Sequence, residues 1–250
     1  MFKNLILFLS LSVTSSWAFI TLDPPIIGES QGWNGEIGIS GAYTSGNSDT
    51  SSIGFSGKAE YHQKSWMIYS IAAYHYGEAN DDKNTNDGLI HLRYIHEISN
   101  TPYDYELYIQ SEFNEFQDVK VRNLTGVNIR RDFSGFFDKC YVGIGLFYSY
   151  MEPDSVSQID PIYERTKMNS YISLVKKINS HFSITYLGFY QPNLEDFSDY
   201  RVSQVLQFDT AITENMTLGV DISHRYNATP YHQIEKTDIR SMINLKYKLK

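Results

Sequence analysis

Apolar and polar side chains alternate along this chain from Trp33 onward, in runs of roughly ten residues separated by turn-rich breaks. In the first run Trp33, Gly35, Ile37, Ile39, Gly41 and Tyr43 share one face, and Asn34, Glu36, Ser40 and Thr44 share the other. The last run sets Ile239, Ser241, Ile243, Leu245, Tyr247 and Leu249 against Asp238, Arg240, Asn244, Lys246 and Lys248. Side chains of a strand point to opposite faces with a period of two, so each run has one apolar and one wet surface. Strands of about 9–11 residues are what a tilted bilayer crossing needs. The pattern predicts an all-β chain, an antiparallel transmembrane β-barrel of outer-membrane type with about twelve strands.

The predicted strands cover 33–45, 51–63, 66–78, 88–99, 103–116, 122–132, 139–151, 165–178, 181–191, 200–211, 216–227 and 237–249. Alternation is weak over 66–78 and 165–178. The connections fall into two classes in turn. Gly46–Thr50, Ala79–Asp87, Gln117–Val121, Glu152–Glu164, Pro192–Asp199 and Ala228–Lys236 read as the longer set. Lys64-Ser65, Asn100–Pro102, Phe133–Asp138, Asn179-Ser180 and Ile212–Asn215 read as the tighter set. Outer-membrane barrels have short periplasmic turns and longer extracellular loops, so the longer set is expected outside and both termini in the periplasm.

Lipid offers no partner to a charge, so the apolar set is expected to face out. That places Ile53, Phe55, Tyr105, Leu107, Ile109, Val142, Ile144, Leu146, Leu218, Val220 and Ile222 on the lipid side. Lys58, Glu60, Arg93, Glu97, Glu106, Glu112, Arg130, Arg201, Asp209, Asp221, Arg225, Asp238 and Arg240 then face the lumen, with both signs near balance. Arg201, Asp209, Asp221, Arg225, Asp238 and Arg240 lie on the last three strands. Adjacent strands are about 4.8 Å apart, so these six are expected to interleave as a ladder of opposite charges.

Composition narrows the class further. Mean hydropathy is −0.36, too low for a bundle of membrane helices but compatible with strands that show lipid only every second residue. The chain of 250 residues carries 20 Tyr against 3 Trp, as interfacial girdles require. A formal charge of −8 with no basic stripe argues against a nucleic-acid partner. Residues 1–18, with Lys3, the apolar Leu5–Leu9 and Ser16-Trp17-Ala18, read as a cleaved signal peptide. Residues 19–32 are then a periplasmic linker and 33–250 the barrel domain. Cys140 is the single cysteine and reads as a small strand hydrophobe.

The opening Gly32-Trp33-Asn34-Gly35, the Gly-rich strand and the hairpin Ser45-Gly46-Asn47-Ser48-Asp49-Thr50 resemble the salt-induced outer-membrane protein family (YdiY-like). Arg225-Tyr226-Asn227, Lys236-Thr237-Asp238 and the final amphipathic strand are similar to that family's C-terminal hairpin. The resemblance covers most of 32–250. It implies the outer membrane of a Gram-negative bacterium and a role linked to salt or osmotic stress, and it brings no catalytic residues. One departure is the ending Tyr247-Lys248-Leu249-Lys250, where outer-membrane barrels usually end in an aromatic residue read by the assembly machinery.

Candidate chemistry is sparse. Asp82-x-Asn84-x-Asn86 imitates the start of an EF-hand loop, but Asp87 stands where Gly is needed and Arg93 where the closing Glu belongs. His62, His75, His91, His96, His181 and His232 lack metal-ligand spacing. His224 shares the lipid-facing parity, with Ser241 on the same face of the next strand. Together they suit a lipid hydrolase in which His is the base and Ser the nucleophile, although no orienting acid shares that face. The expected function is therefore non-enzymatic, without cofactor or metal: a narrow channel or structural envelope protein. Its partners are outer-membrane lipids, lipopolysaccharide, the assembly machinery and small solutes. The alternatives are the lipid hydrolase of His224 with Ser241, and a soluble secreted β-sandwich binding protein.

Overall fold

The computed structural model describes residues 25–27, 31–44, 50–135, 137–154 and 160–249. The signal-peptide reading, the Ser45–Asp49 part of the first hairpin and Lys250 lie outside the described residues. The strands are β1 (Gly32–Thr44), β2 (Thr50–His62), β3 (Trp66–Ala79), β4 (Asp82–Glu97), β5 (Tyr103–Asn114), β6 (Val119–Asp132), β7 (Lys139–Pro153), β8 (Tyr163–Lys177), β9 (Phe182–Pro192), β10 (Tyr200–Ala211), β11 (Met216–Asn227) and β12 (Thr237–Leu249). Each pairs antiparallel with its neighbour, and β1 pairs with β12 to close the barrel. The even count brings β1 and β12 back to one end, here called the terminal end. The opposite rim, the loop end, carries the connections after β1, β3, β5, β7, β9 and β11.

The expected facing holds. Ile144 is 58% exposed on the outer surface, and Phe55, Leu107, Ile109, Leu146 and Leu218 are exposed with it. Two aromatic belts bound this apolar surface. At the terminal end ring contacts run through Trp33, Tyr61, Trp66, Tyr94 and Tyr105 across β1–β5. At the loop end Tyr190, Tyr200 and Tyr226 pack side by side across β9–β11. Aromatic rings with polar tips belong at such a boundary. Along β9 the outward face from Phe182 to Tyr190 spans about 26 Å of strand. A tilt of about 40° leaves about 20 Å along the axis, close to the apolar band of a membrane barrel.

The longer connection expected at Ala79–Asp87 is a finding against the loop reading. The chain turns at Asn80 and Asp81, both at positive φ (50° and 68°), and β4 starts at once with Asp82. Such backbone values suit the tight turns that match strand twist. The polar Asp82–Asn86 stretch is strand, with a register shift at Gly77/Glu78. Polarity misled because a ladder extending past the lipid has no apolar face to show. The EF-hand-like pattern is thus spread along a strand and forms no loop. The connection expected at Gln117–Val121 is instead a single 3₁₀ turn at Glu115–Gln117, with β6 already paired at Val119.

Weak alternation over β3 also has a structural cause. Its inward residues Met67, Tyr69 and Ile71 are apolar and form a buried cluster with Ile95 of β4. This part of the lumen is filled by side chains at the terminal end. In β8 the inward set is Lys167, Asn169, Tyr171, Ser173 and Val175, so its apolar and polar residues are mixed on both faces.

Candidate functional site

The site is the lumen, and its chemistry is organised around two carboxylates of β5. Glu106 is fully buried. It accepts hydrogen bonds from Tyr171 Oη (2.8 Å), Asn128 Nδ2 (3.0 Å) and Arg93 Nη1 (3.4 Å), with Arg130 Nε at 3.8 Å. The Arg93 guanidinium also lies over the rings of Tyr69, Tyr108 and Tyr171, at 5.1–5.9 Å from their centroids. Stacking of this kind desolvates the cation while keeping it attracted to the ring faces. Arg130 is further held by Asp104 at 2.7 Å.

Glycines make room for these tyrosines. Gly143 stands opposite Tyr171 in the β7–β8 register, and a Cβ there would overlap the tyrosine ring. Gly126 stands opposite Tyr108 in the same way. Any larger residue would push the ring into the lumen.

Six residues toward the loop end of β5, Glu112 forms the second centre. Its Oε1 pairs with Arg122 Nη1 at 2.8 Å and with Arg201 Nη1 at 3.7 Å. Its Oε2 accepts from Gln110 Nε2 at 2.7 Å. A hydrogen-bonded wire joins the two centres. Arg93 Nε donates to His91 Nε2 (3.2 Å), which fixes the proton on Nδ1 for Gln110 Oε1 (3.0 Å), and Gln110 passes on to Glu112.

Between the centres lies a cavity of about 80 Å³. Arg93, Arg122, Arg201 and Arg225 line it, with Glu112 as the one carboxylate in its wall among the described residues. The lumen as a whole carries both signs, but this chamber is locally cationic. Sequence reading found Arg93, Glu106, Glu112, Arg130, Arg201 and Arg225 by parity. It missed Arg122, although Arg122 shares the parity of Arg130 on the same strand. It also missed Tyr108, Tyr171 and Lys167, whose strands gave a poor signal or whose rings resemble girdle residues.

The six residues of the expected ladder all take inward positions, and only Arg225 and Asp238 stand directly opposite one another in register. The partners of the others lie elsewhere. Asp209 binds Lys246 Nζ at 3.0 Å, Asp221 accepts from Asn244 Nδ2 at 2.7 Å, and Asp238 accepts from Gln117 Nε2 at 2.8 Å. Arg201 reaches across the lumen to Glu112. Arg240 is 8% exposed, and neither Nη atom has a hydrogen-bond partner among the described residues.

Both mouths are narrowed. At the loop end the β11–β12 connection crosses to the opposite wall. There Tyr231 is buried against Val119 of β6 and Met151 of β7, donates to Met151 O (3.2 Å) and stacks on Tyr163. Thr229 of the same connection donates to Asp199 Oδ1 (2.5 Å), which also binds Lys167 (3.0 Å), while Arg165 takes Asp199 Oδ2 (3.1 Å). At the terminal end Pro25 lies buried in the lumen wall region, its carbonyl accepting from Arg130 Nη2 at 3.2 Å. Ile27 packs on the Met67–Tyr69–Ile71–Ile95 cluster.

On the outer surface His224 stands opposite Ile239, and Ser241 opposite Ile222. No hydrogen bond joins His224 to Ser241 among the described residues. No cluster of three or more potential metal ligands occurs among the described residues.

Comparison with known proteins agrees with the architecture. Among solved structures the chain is similar to the NanC porin, at 12% identity and a TM-score of 0.54, covering 86% of this chain and 100% of that one. The KdgM porin is similar at 10% identity and a TM-score of 0.44, over 86% and 99% of the two chains. The translocator domain of the autotransporter NalP from Neisseria meningitidis follows at 10% identity and 0.43, over 88% and 89%. The NanC likeness concerns fold, and the fold is the closed antiparallel barrel of outer-membrane proteins. No curated protein matches the chain by sequence. The family described as "Protein of unknown function, DUF481" matches residues 37–249, from β1 to the end of β12, and this chain belongs to that family.

Proposed function

We propose that the protein is a non-enzymatic outer-membrane barrel, with its loop end outside the cell, and that its lumen is a narrow, gated path for small solutes. The observation that carries this reading is an arginine-lined chamber left open between two narrowed mouths. A purely structural barrel has no need of one, since its lumen can be filled at the density of any core. The bound loop at Tyr231 and the inserted Pro25–Ile27 act as the two gates. The salt-stress link rests on the resemblance of the first hairpin and the C-terminal strands. Membrane lipid, lipopolysaccharide and the assembly machinery are the partners that this reading requires.

The test is single-channel recording of the refolded protein in planar bilayers. The unmodified barrel gives a low baseline with rare openings. Tyr231→Ala, which frees the crossing loop, raises the open fraction. Silence in both proteins removes the channel and leaves an envelope protein. The hydrolase reading fares worse, because among the described residues His224 has neither an acid to orient it nor a hydrogen bond to Ser241. Fatty-acid release from phospholipid by the wild type, absent in His224→Ala, would restore it.

A further inference from the structure

The charges around the chamber are unequally matched, and this points to a ligand. Arg122 and Arg201 share a single oxygen of Glu112, and Arg201 reaches it only at 3.7 Å, beyond hydrogen-bonding length. The other oxygen is already taken by Gln110. Arg225 lines the same chamber, and across the β11–β12 ladder Arg240 lies opposite Ser223, two residues from Arg225. Arg240 is more than nine-tenths buried with both Nη atoms unpartnered among the described residues. Asp87 and Asp238 stand behind these arginines as counter-charges, Asp238 opposite Arg225 and Asp87 beside His75. Neither lines the cavity.

Guanidinium groups present several N–H donors in a planar fork and cannot shed their charge. Buried donors of this kind are met by an acceptor in nearly every protein. Among the described residues Arg240, just outside the cavity, lacks such an acceptor at both Nη atoms, and the four arginines in the cavity wall face one carboxylate, a surplus that an anion with two or more oxygens would balance. Size limits it: a cavity of about 80 Å³ holds several water molecules, each needing about 10–15 Å³ of such space. An ion of a few heavy atoms fits in it.

We propose that the chamber is a binding site for a small oxyanion, a phosphate or a carboxylate, held by Arg122, Arg201 and Arg225 with Arg240 adding positive charge from the neighbouring wall. Glu112 is then the internal counter-ion that keeps the arginines ordered when the site is empty and competes with the ligand for them. This deepens the channel reading by naming the class of solute, but binding does not depend on conduction.

The experiment is calorimetric titration of the refolded full chain in detergent, with sodium phosphate in one arm and sodium acetate in the other. Wild type binds at least one of the two saturably, and the arm that responds identifies the oxyanion. Arg201→Gln weakens binding about tenfold or more, the loss of one charge-assisted contact. Glu112→Gln tightens it, because two guanidinium groups lose their competitor; a merely structural role for these residues cannot give opposite signs. Lys246→Gln removes an equal charge near the terminal end and leaves affinity unchanged. Heat-modifiable migration in gels confirms that each variant is folded. No saturable heat with either salt at tens of millimolar, or phosphate binding indifferent to Arg201→Gln, overturns the proposal. A barrel that binds an oxyanion but passes no current keeps this inference and removes the channel. One that conducts without anion preference and binds neither salt does the reverse.

Discussion

Glu106 should be the residue on which the terminal half of the barrel depends. It is fully buried and gathers Tyr171, Asn128, Arg93 and Arg130 on one carboxylate. Glu106→Gln keeps the shape and an oxygen for Tyr171 or Asn128 but withdraws the charge. Arg130 retains Asp104 at 2.7 Å, so most of the loss falls on Arg93, whose remaining attractions are three ring faces. A hydrogen bond to a charged group contributes about 1.5–3 kcal/mol, so Glu106→Gln should cost about 2 kcal/mol. Glu106→Ala, which also strands the donors of Tyr171 and Asn128, should cost about 3–5 kcal/mol, as when one member of a buried pair is removed. The decisive variant is Glu106→Gln combined with Arg93→Gln, which leaves no stranded charge and should regain part of the loss. Urea titration of the barrel refolded in vesicles, followed by tryptophan fluorescence, measures all three. Strict additivity in the double variant, or a cost below about 0.5 kcal/mol for Glu106→Ala, would refute the claim that these charges are coupled.

Ile144→Arg places a cation on the lipid face near the middle of β7 and should destabilise the barrel by about 2–4 kcal/mol in the same titration. Gly143→Val forces a side chain into the Tyr171 ring and should cost about 1–3 kcal/mol, much of it relieved when Tyr171 is Ala in the same chain. At the loop end Lys83 and Asn86 hold the Glu115 carboxylate at 2.6 and 2.7 Å and keep its pKa below the usual glutamate range. The stabilisation of the Glu115–Gln117 turn is therefore present above that range and lost as pH falls through the lowered value. The protection factor of the Asp118 amide, whose N–H donates to Glu115 O, should fall in acid once exchange is corrected for its intrinsic pH dependence, and Glu115→Gln should remove that fall.

Strand positions and facing were legible because lipid enforces them: a charge on the outer face of β7 or β11 has no partner, so alternation there is strict. Where lipid does not reach, the signal fades. Asp82–Asn86 is polar on both faces because that ladder projects past the bilayer, and it reads as a loop. Met67, Tyr69 and Ile71 are apolar on the inner face because they fill the lumen, which blurs β3. The inward charges of the site were visible by parity, but their partners were not. Parity assigns a face, whereas Arg201 meets Glu112 across the barrel, between strands far apart in the sequence. The crossing of Tyr231 to Met151 is invisible for the same reason.

The closure of β1 on β12 bears on the order of assembly. Every other strand pair joins neighbours in the chain, while this seam joins Gly35 to Leu249 and Gly41 to Ile243. Contacts between residues so far apart form late, since the whole intervening chain must be arranged before they repay its lost freedom. Until then β1 and β12 both present open hydrogen-bonding edges, which a bilayer does not tolerate. On the outer-membrane reading proposed above, insertion and closure are one event, and the seam is where the assembly machinery of that proposal would hold a nascent sheet open before releasing a finished cylinder.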